Sequence, residues 1–346
     1  MASGWRDTRA FERRRAAVIV TVVALICCGV AGWKPALLGG GCSRARLTAQ
    51  VNQAQQETDA SKEQLEHIDP SLVKYTEAGR IATGFSETRG LALARDGRLY
   101  VAGDQAVRVF AEDGALQGEF APSAPPHCLA VAADGAIVVG LKEHVEIYGS
   151  DGQLQATWER LAGRAYLTCV VPSGHDIYVA NAGDRAILRY DRSGQLLGLI
   201  GQKDDTRGIP GLVVPSPHLD VAVGSDGLLR VNNPGRRLVE IYTPEGELKA
   251  SWGRASFEID GFCGCCNPTD IALLPGGRVV TSEKGLPRVK VYDADGNLEA
   301  VVAGPEAFAK GAKGIDLAVD ARGRVFALDP KANEVLIFEP NEVAEQ

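Results

Sequence analysis

The segment VEIYGSDGQLQA at residues 145–156 decides the reading of this chain, because close copies of it recur. They are VRVFAEDGALQG (107–118), ILRYDRSGQLLG (187–198), VEIYTPEGELKA (239–250), VKVYDADGNLEA (289–300) and a divergent last copy, VLIFEPNEVAEQ (335–346). Each alternates side chains up to an aromatic residue. All but the last then turn at a glycine and resume as a second short strand, the pattern of a β-hairpin. The aromatics are Phe110, Tyr148, Tyr190, Tyr242, Tyr292 and Phe338, spaced 38, 42, 52, 50 and 46 residues apart. A second hairpin lies upstream of each: LALARDGRLYVAG (91–103), LAVAADGAIVVG (129–140), TCVVPSGHDIYVAN (168–181), VAVGSDGLLRVNN (221–233), IALLPGGRVVTSE (271–283) and LAVDARGRVFALD (317–329). Each unit therefore holds four short strands, and six units fit between about Tyr75 and Pro340.

Four strands in each repeat of roughly 40–50 residues predict the blades of a propeller. The fold expected is all-β: a six-bladed β-propeller of four-stranded blades. A six-fold repeat does not divide naturally into two packed sandwiches. The last unit supplies only three strands, and an uncovered edge there would invite aggregation. The stretch LVKYTEAGRI (72–81) has strand character and is expected to close the ring as the outer strand of the last blade. Two turn-bearing hairpins per blade also account for much of the glycine content, 40 of 346 residues. The residues that carry this reading, the paired hairpins with their aromatic-and-glycine turn, resemble those of NHL-repeat six-bladed propellers. The resemblance covers about residues 75–340 and implies architecture alone, since such propellers serve as binding modules, lyases and lactonases.

Ahead of the repeats, Arg6, Arg9, Arg13, Arg14 and Arg15 precede an uncharged run of eighteen residues, Ala16 to Trp33. At about 1.5 Å per residue that run just reaches across a bilayer core. A cleaved signal sequence ending near Gly29-Val30-Ala31 is the alternative. The positive flank keeps the N-terminus inside and exports the rest. The expected organisation is a cytoplasmic basic segment (1–15), a transmembrane anchor or signal (16–38), a polar helical stalk or linker (39–70) and the propeller (71–342). The corresponding location is the cell inner membrane, single-pass, with the propeller on the periplasmic side. Lys+Arg of 37 against Asp+Glu of 44 gives a net charge of −7, and aromatics are 6%, so neither a basic stripe nor a base-stacking platform for nucleic acid is present.

Two connections between blades are long, 201–218 and 253–269, and they belong to neighbouring blades; long loops on one face of a propeller usually carry function. The second contains FCGCCNPTD, with Cys263, Cys265 and Cys266. Three readings stay open for them: a disulfide staple, a thiophilic metal site with His218 as a fourth ligand, and a redox-active thiol pair. The C-x-C-C spacing matches no standard zinc or ferredoxin pattern. Cys128 and Cys169 read as buried thiols on inner strands, while His67, His144 and His175 read as solvent-facing. Asp220, Asn233, Asp270, Glu283 and Asp316 are candidate Ca²⁺ ligands by position around the mouth. The segment EKGLPRVKVYD (283–293), with Glu283, Lys284, Arg288 and Lys290, reads as a solvated face or as a dock for an anionic ligand or acidic partner. Together with Asp220, Asn232, Asn233, Asn267 and Asp270 it marks the expected ligand or partner face. GxGxxG, Walker, GxSxG and HExxH motifs are absent, so nucleotide, serine-hydrolase and zincin chemistry has no support.

Three functions follow. The first is a non-enzymatic, membrane-anchored binding or scaffold module that meets a protein partner or small ligand on the two-loop face. The second is a metal or thiol-redox propeller of an electron-transfer assembly, and the third a Ca²⁺-dependent hydrolase or lyase.

Overall fold

In the computed structural model, which describes residues 66–341, all six repeats form antiparallel sheets of four strands. Blade 1 consists of β2 (Thr88–Leu93), β3 (Leu99–Gly103), β4 (Ala106–Phe110) and β5 (Leu116–Phe120), from the channel outward. Blade 2 is β6 (Cys128–Val131), β7 (Ile137–Gly140), β8 (Val145–Tyr148) and β9 (Leu154–Thr157); blade 3 is β10 (Leu167–Ser173), β11 (Asp176–Asn181), β12 (Ala186–Asp191) and β13 (Leu196–Ile200). Blade 4 is β14 (Val221–Val223), β15 (Leu229–Asn233), β16 (Leu238–Tyr242) and β17 (Leu248–Trp252). Blade 5 is β18 (Asp270–Leu273), β19 (Val279–Glu283), β20 (Arg288–Tyr292) and β21 (Leu298–Ala303). Blade 6 has β22 (Asp316–Val319), β23 (Val325–Asp329) and β24 (Glu334–Pro340), and its outer strand is β1 (Tyr75–Ala82).

The closing strand is the one expected. β1 runs antiparallel to β24 in a register from Tyr75↔Pro340 to Ala82↔Glu334. Without it the outer row of β24 backbone groups would stand unpaired. Deleting residues 66–82 is therefore expected to open the ring. The outcome to look for is an aggregating species on size exclusion and a melting transition lowered by on the order of 10 °C or more, a larger loss than any single surface substitution gives.

Six apolar clusters hold the ring, one between each pair of neighbouring blades. Between blades 4 and 5, for example, Trp252 lies against Tyr292 at 5.0 Å and against Phe262 at 6.2 Å. The turn of the fifth hairpin needs glycine there: Gly296 has φ +87°, and a Cβ would fall 2.5 Å from the Trp252 ring. Because blades stack on both faces, the alternation of VEIY does not separate core from solvent. Val145, Val239 and Val289 are buried on one face, and on the other Glu146, Glu240 and Lys290 are buried too, each at most 1% exposed. The polar face is satisfied internally: Tyr148 donates to Glu146 at 2.5 Å and Tyr242 to Glu240 at 2.6 Å.

The anchor segment 16–38 and most of the 39–70 stalk lie outside the described residues. Of the stalk's end, Pro70–Leu72 forms one 3-10 turn, whose capping Asp69 accepts the Ser71 N–H at 2.9 Å. Among the described residues no helix is long and apolar enough to cross a membrane.

Candidate functional site at the channel mouth and the two long loops

The last residue of the second strand in blades 3 to 6 is Asn181, Asn233, Glu283 and Asp329, and all four do the same job. Each side chain reaches back to the incoming loop and accepts a backbone N–H. The donors are Tyr166 (3.0 Å), Val213 (2.9 Å), Cys263 (3.4 Å) and Ala309 (2.6 Å) respectively. Asn233 and Glu283, expected as ligands at the mouth, are thus buried loop anchors. Asn232 is buried as well: its oxygen accepts the Asp220 N–H at 2.6 Å, and its amide donates to His218 O at 3.2 Å and Pro268 O at 3.1 Å. It ties the end of one long loop to the end of the other.

Glu283 is also the hub of an internal charge cluster. Arg288 donates to it at 2.7 Å, Lys290 forms an ion pair with it, and the Cys263 thiol donates at 3.3 Å. Lys290 further donates to Ile259 O (3.0 Å) and Gly261 O (2.8 Å), and sits 4.9 Å above the Phe262 ring. Burial pulls the Lys290 amine down to about 8 despite the neighbouring carboxylate, and burial pushes the Cys263 thiol up to about 11, with Glu283 adding to it. The reading of 283–293 as a solvated face does not hold. Its strand is enclosed between blades, so Arg288 and Lys290 spend their charge on Glu283 and on the 253–269 loop; of Glu283, Lys284, Arg288 and Lys290 only Lys284 is partly exposed.

Lys284 instead joins the two long loops, donating from Nζ to Ser216 Oγ at 2.6 Å. Asn267 holds the turn after it, donating to Cys263 O at 2.6 Å and Lys284 O at 3.0 Å while accepting the Lys284 N–H at 2.9 Å. Arg237 Nε donates to Gly264 O at 2.8 Å. The three cysteines do not converge. Cys263 points to Glu283, whereas Cys265 and Cys266 face each other with sulfurs 3.3 Å apart; all three are free thiols. Burial alone would push the Cys266 thiol up, but hydrogen bonds from Ser216 and Cys265 and the charges of Lys284 and Arg237 hold it below its ordinary value. His218 belongs to another place: its ring packs over Gly314 and lines the central mouth. The four-ligand thiophilic set is therefore not assembled, and among the described residues no group of three or more His, Cys, Asp or Glu is arranged to hold a metal ion. The Ca²⁺ set is divided in the same way, with Asn233 and Glu283 committed as anchors.

The mouth itself is a pocket of about 240 Å³. Its wall includes Glu87, Arg89, His127, Tyr166, His218 and Lys313, and deeper in lie Asp220, Asp270 and Asp316. Strand register places six residues at equivalent positions around the channel: Gly90, Cys128, Cys169, Asp220, Asp270 and Asp316. Each aspartate accepts a backbone N–H from the next blade. Asp220 takes that of Ile271 (2.7 Å), Asp270 that of Leu317 (3.0 Å) and Asp316 that of Leu91 (2.5 Å). Asp220 is buried, Asp270 and Asp316 are half-buried, and the three carboxyls lie close to one another. Burial pushes Asp220 up to about 7; burial and the charges of Asp220 and Asp316 push Asp270 well up, and burial raises Asp316. Cys128 and Cys169 complete the ring as thiols raised by burial.

His127 and Tyr166 stack at 4.7 Å in the wall, and the His127 Nδ1 lies 3.2 Å from Leu167 O. Burial lowers His127, and burial with the Lys284 charge lowers His218 to about 4, so both rings are neutral at neutral pH. His144, expected in solvent, is buried at 3%, its Nε2 lying 3.4 Å from a carboxylate oxygen of the buried Glu146. Ser216, Arg237, Arg89 and Lys313 escaped the sequence reading. Ser216 lies inside VVPSPHLD, between two noticed residues, and the others are single basic residues in turns with no pattern to mark them.

No protein-family model matches the chain, and no curated protein does. Solved structures do. A catalytically inactive virginiamycin B lyase from Staphylococcus aureus, determined with quinupristin, aligns with a TM-score of 0.55 at 12% identity, over 77% of this chain and 99% of the lyase. The WD40 β-propeller domain of Doa1 aligns with a TM-score of 0.54 at 14% identity, over 78% of this chain and 98% of that domain. One of these is a lyase and the other a WD40 domain, and at such identities the likeness is one of fold: this chain is a six-bladed β-propeller.

Proposed function

We propose that this protein is a membrane-anchored, exported propeller of the NHL type that works as a binding module, seating an acidic segment of a protein partner at the channel mouth. The observation that carries the reading is the convergence of the two long loops beside the one pocket whose rim bears Arg89, Lys313, His127, Tyr166 and His218. Lys313 is exposed and offers positive charge to an incoming carboxylate, while Arg89 is partly exposed and pairs with Glu87 of the same rim at 3.0 Å, so a partner's acid competes with Glu87 for it; the mouth's own acids sit deeper and hold protons more readily than usual. The paired hairpins support the NHL assignment, and the arginine-flanked run Ala16–Trp33 supports the anchor and the export of the ring.

The test uses the full chain in detergent, immobilised and exposed to membrane extract. Reversing both rim charges, Arg89→Glu with Lys313→Glu, is expected to reduce partner retention at least about tenfold, since like charges across an interface cost several kcal/mol. Unchanged retention would place the binding surface elsewhere. Membrane fractionation checks the anchor separately: removing residues 1–38 is expected to move the propeller to the soluble fraction.

A further inference from the structure

Cys265 and Cys266 are neighbours in sequence with their sulfurs in contact at 3.3 Å, yet they are free; Cys265 is exposed and Cys266 buried. The pair is held from three directions. Arg237 of blade 4 fixes Gly264, Asn267 brackets the segment against the blade 5 turn, and Lys284 reaches across to Ser216 in the other long loop. Both long loops are thus spent on positioning one dithiol beside Lys284 and Arg237, whose charges favour the thiolate of Cys266. Cys128, by contrast, is buried and Cys169 half-buried among apolar strands at the channel. Cys263 is buried and hydrogen-bonded to Glu283, outside the pair.

We propose that Cys265 and Cys266 form a thiol–disulfide exchange site whose substrate is a disulfide, small or protein-borne, that reaches the two-loop face. The exposed Cys265 thiolate attacks one sulfur of RS–SR′. A Cys265–SR bond forms, the S–S bond of the substrate breaks, and R′S⁻ leaves and takes up the proton that Cys265 released. Cys266 then gives up its proton and attacks the Cys265 sulfur, expelling RS⁻, which receives that proton. The pair loses two electrons and two protons as it becomes a disulfide, and RS–SR′ gains them as two thiols. A bridge between chain neighbours is strained and easily reduced, so the same site runs in reverse against a dithiol.

The test treats the full-chain protein with oxidised glutathione, quenches in acid, alkylates the remaining thiols and maps the peptide spanning 263–266 by mass spectrometry. The wild type is expected to lose two hydrogens at this peptide, with Cys265 and Cys266 protected together and no stable glutathione adduct. Cys266→Ser is expected to trap glutathione on Cys265, at least about tenfold above the wild type, because the resolving thiol is gone. Cys265→Ser is expected to form no adduct, because Cys266 is buried. Three wild-type results would each overturn the proposal: both thiols still alkylatable at every glutathione ratio, a stable adduct on Cys265, or a bridge from Cys266 to Cys263.

Discussion

Glu283→Ala is expected to cost about 3–5 kcal/mol of folding stability, read as a lowered urea midpoint, because it strands two buried cations. Glu283, Arg288 and Lys290 are each at most 1% exposed. The carboxylate is the counter-ion for both and the acceptor for the Cys263 thiol and N–H. Without it Lys290 can escape its penalty by losing a proton, since its amine already lies near 8. Arg288 has no such exit, because a guanidinium stays charged. Arg288→Met is therefore expected to recover a large part of the loss in the Glu283→Ala background, while costing stability on its own because the buried Glu283 carboxylate keeps Lys290 but loses its hydrogen bond from Arg288. Glu283→Ala also frees the N–H of Cys263 and loosens the 253–269 loop, so cleavage of that loop under limited proteolysis is expected to rise before global unfolding. A shift below about 1 kcal/mol, within the range of ordinary surface changes, would show that the cluster does not anchor the loop.

What could be read from the sequence divides along a physical line. Blade number, strand count and the closing role of residues 72–81 were legible because they depend on periodicity and turn chemistry, both local. That β1 would pair with β24 needed only the recognition that the last repeat lacks a strand; its register, with a bulge between Glu77 and Gly79, came from the structure. Which polar residues face a ligand was not legible. In an isolated sheet, alternation separates wet from dry; in a stack of blades both faces are dry, and so Glu283, Arg288 and Lys290 turned inward. Asn233 and Glu283 looked like ligands because they cluster at the mouth. Their equivalence to Asn181 and Asp329 at the ends of the quoted hairpins was available in the sequence and identifies them as loop anchors. The cysteine loop shows the other limit. Spacing placed three thiols within four residues, but whether they converge depends on Ser216 and Arg237, which come from distant segments.

Asp220→Asn is expected to act in the opposite direction to Glu283→Ala, stabilising the propeller by about 3–4 kcal/mol at pH 8 and by little at pH 4. In the folded ring burial holds the Asp220 carboxyl up to about 7, whereas in the unfolded chain it titrates near 3.9. Between those values the folded state binds the proton and the unfolded state does not. The contribution of this group is therefore fully present below about pH 4 and is lost as pH rises through 7. Asparagine has no proton to lose. Its oxygen can still accept the Ile271 N–H that Asp220 takes at 2.7 Å, so the staple between blades 4 and 5 survives. The substitution also removes a like charge from beside Asp270, whose carboxyl Asp220 helps push up. Urea unfolding at pH 4.5, 6 and 8 is expected to give a variant whose stability depends less on pH than the wild type's; parallel curves would show that Asp220 is not the titrating group. Asp220→Ala separates the two roles, since it abolishes the charge but leaves the Ile271 N–H without its acceptor, at about 1–3 kcal/mol. An amide would thus staple the blades at lower cost, yet three of the six ring positions are aspartate. What aspartate adds over asparagine is a channel floor whose charge changes near neutral pH, beneath the rim that carries Arg89 and Lys313.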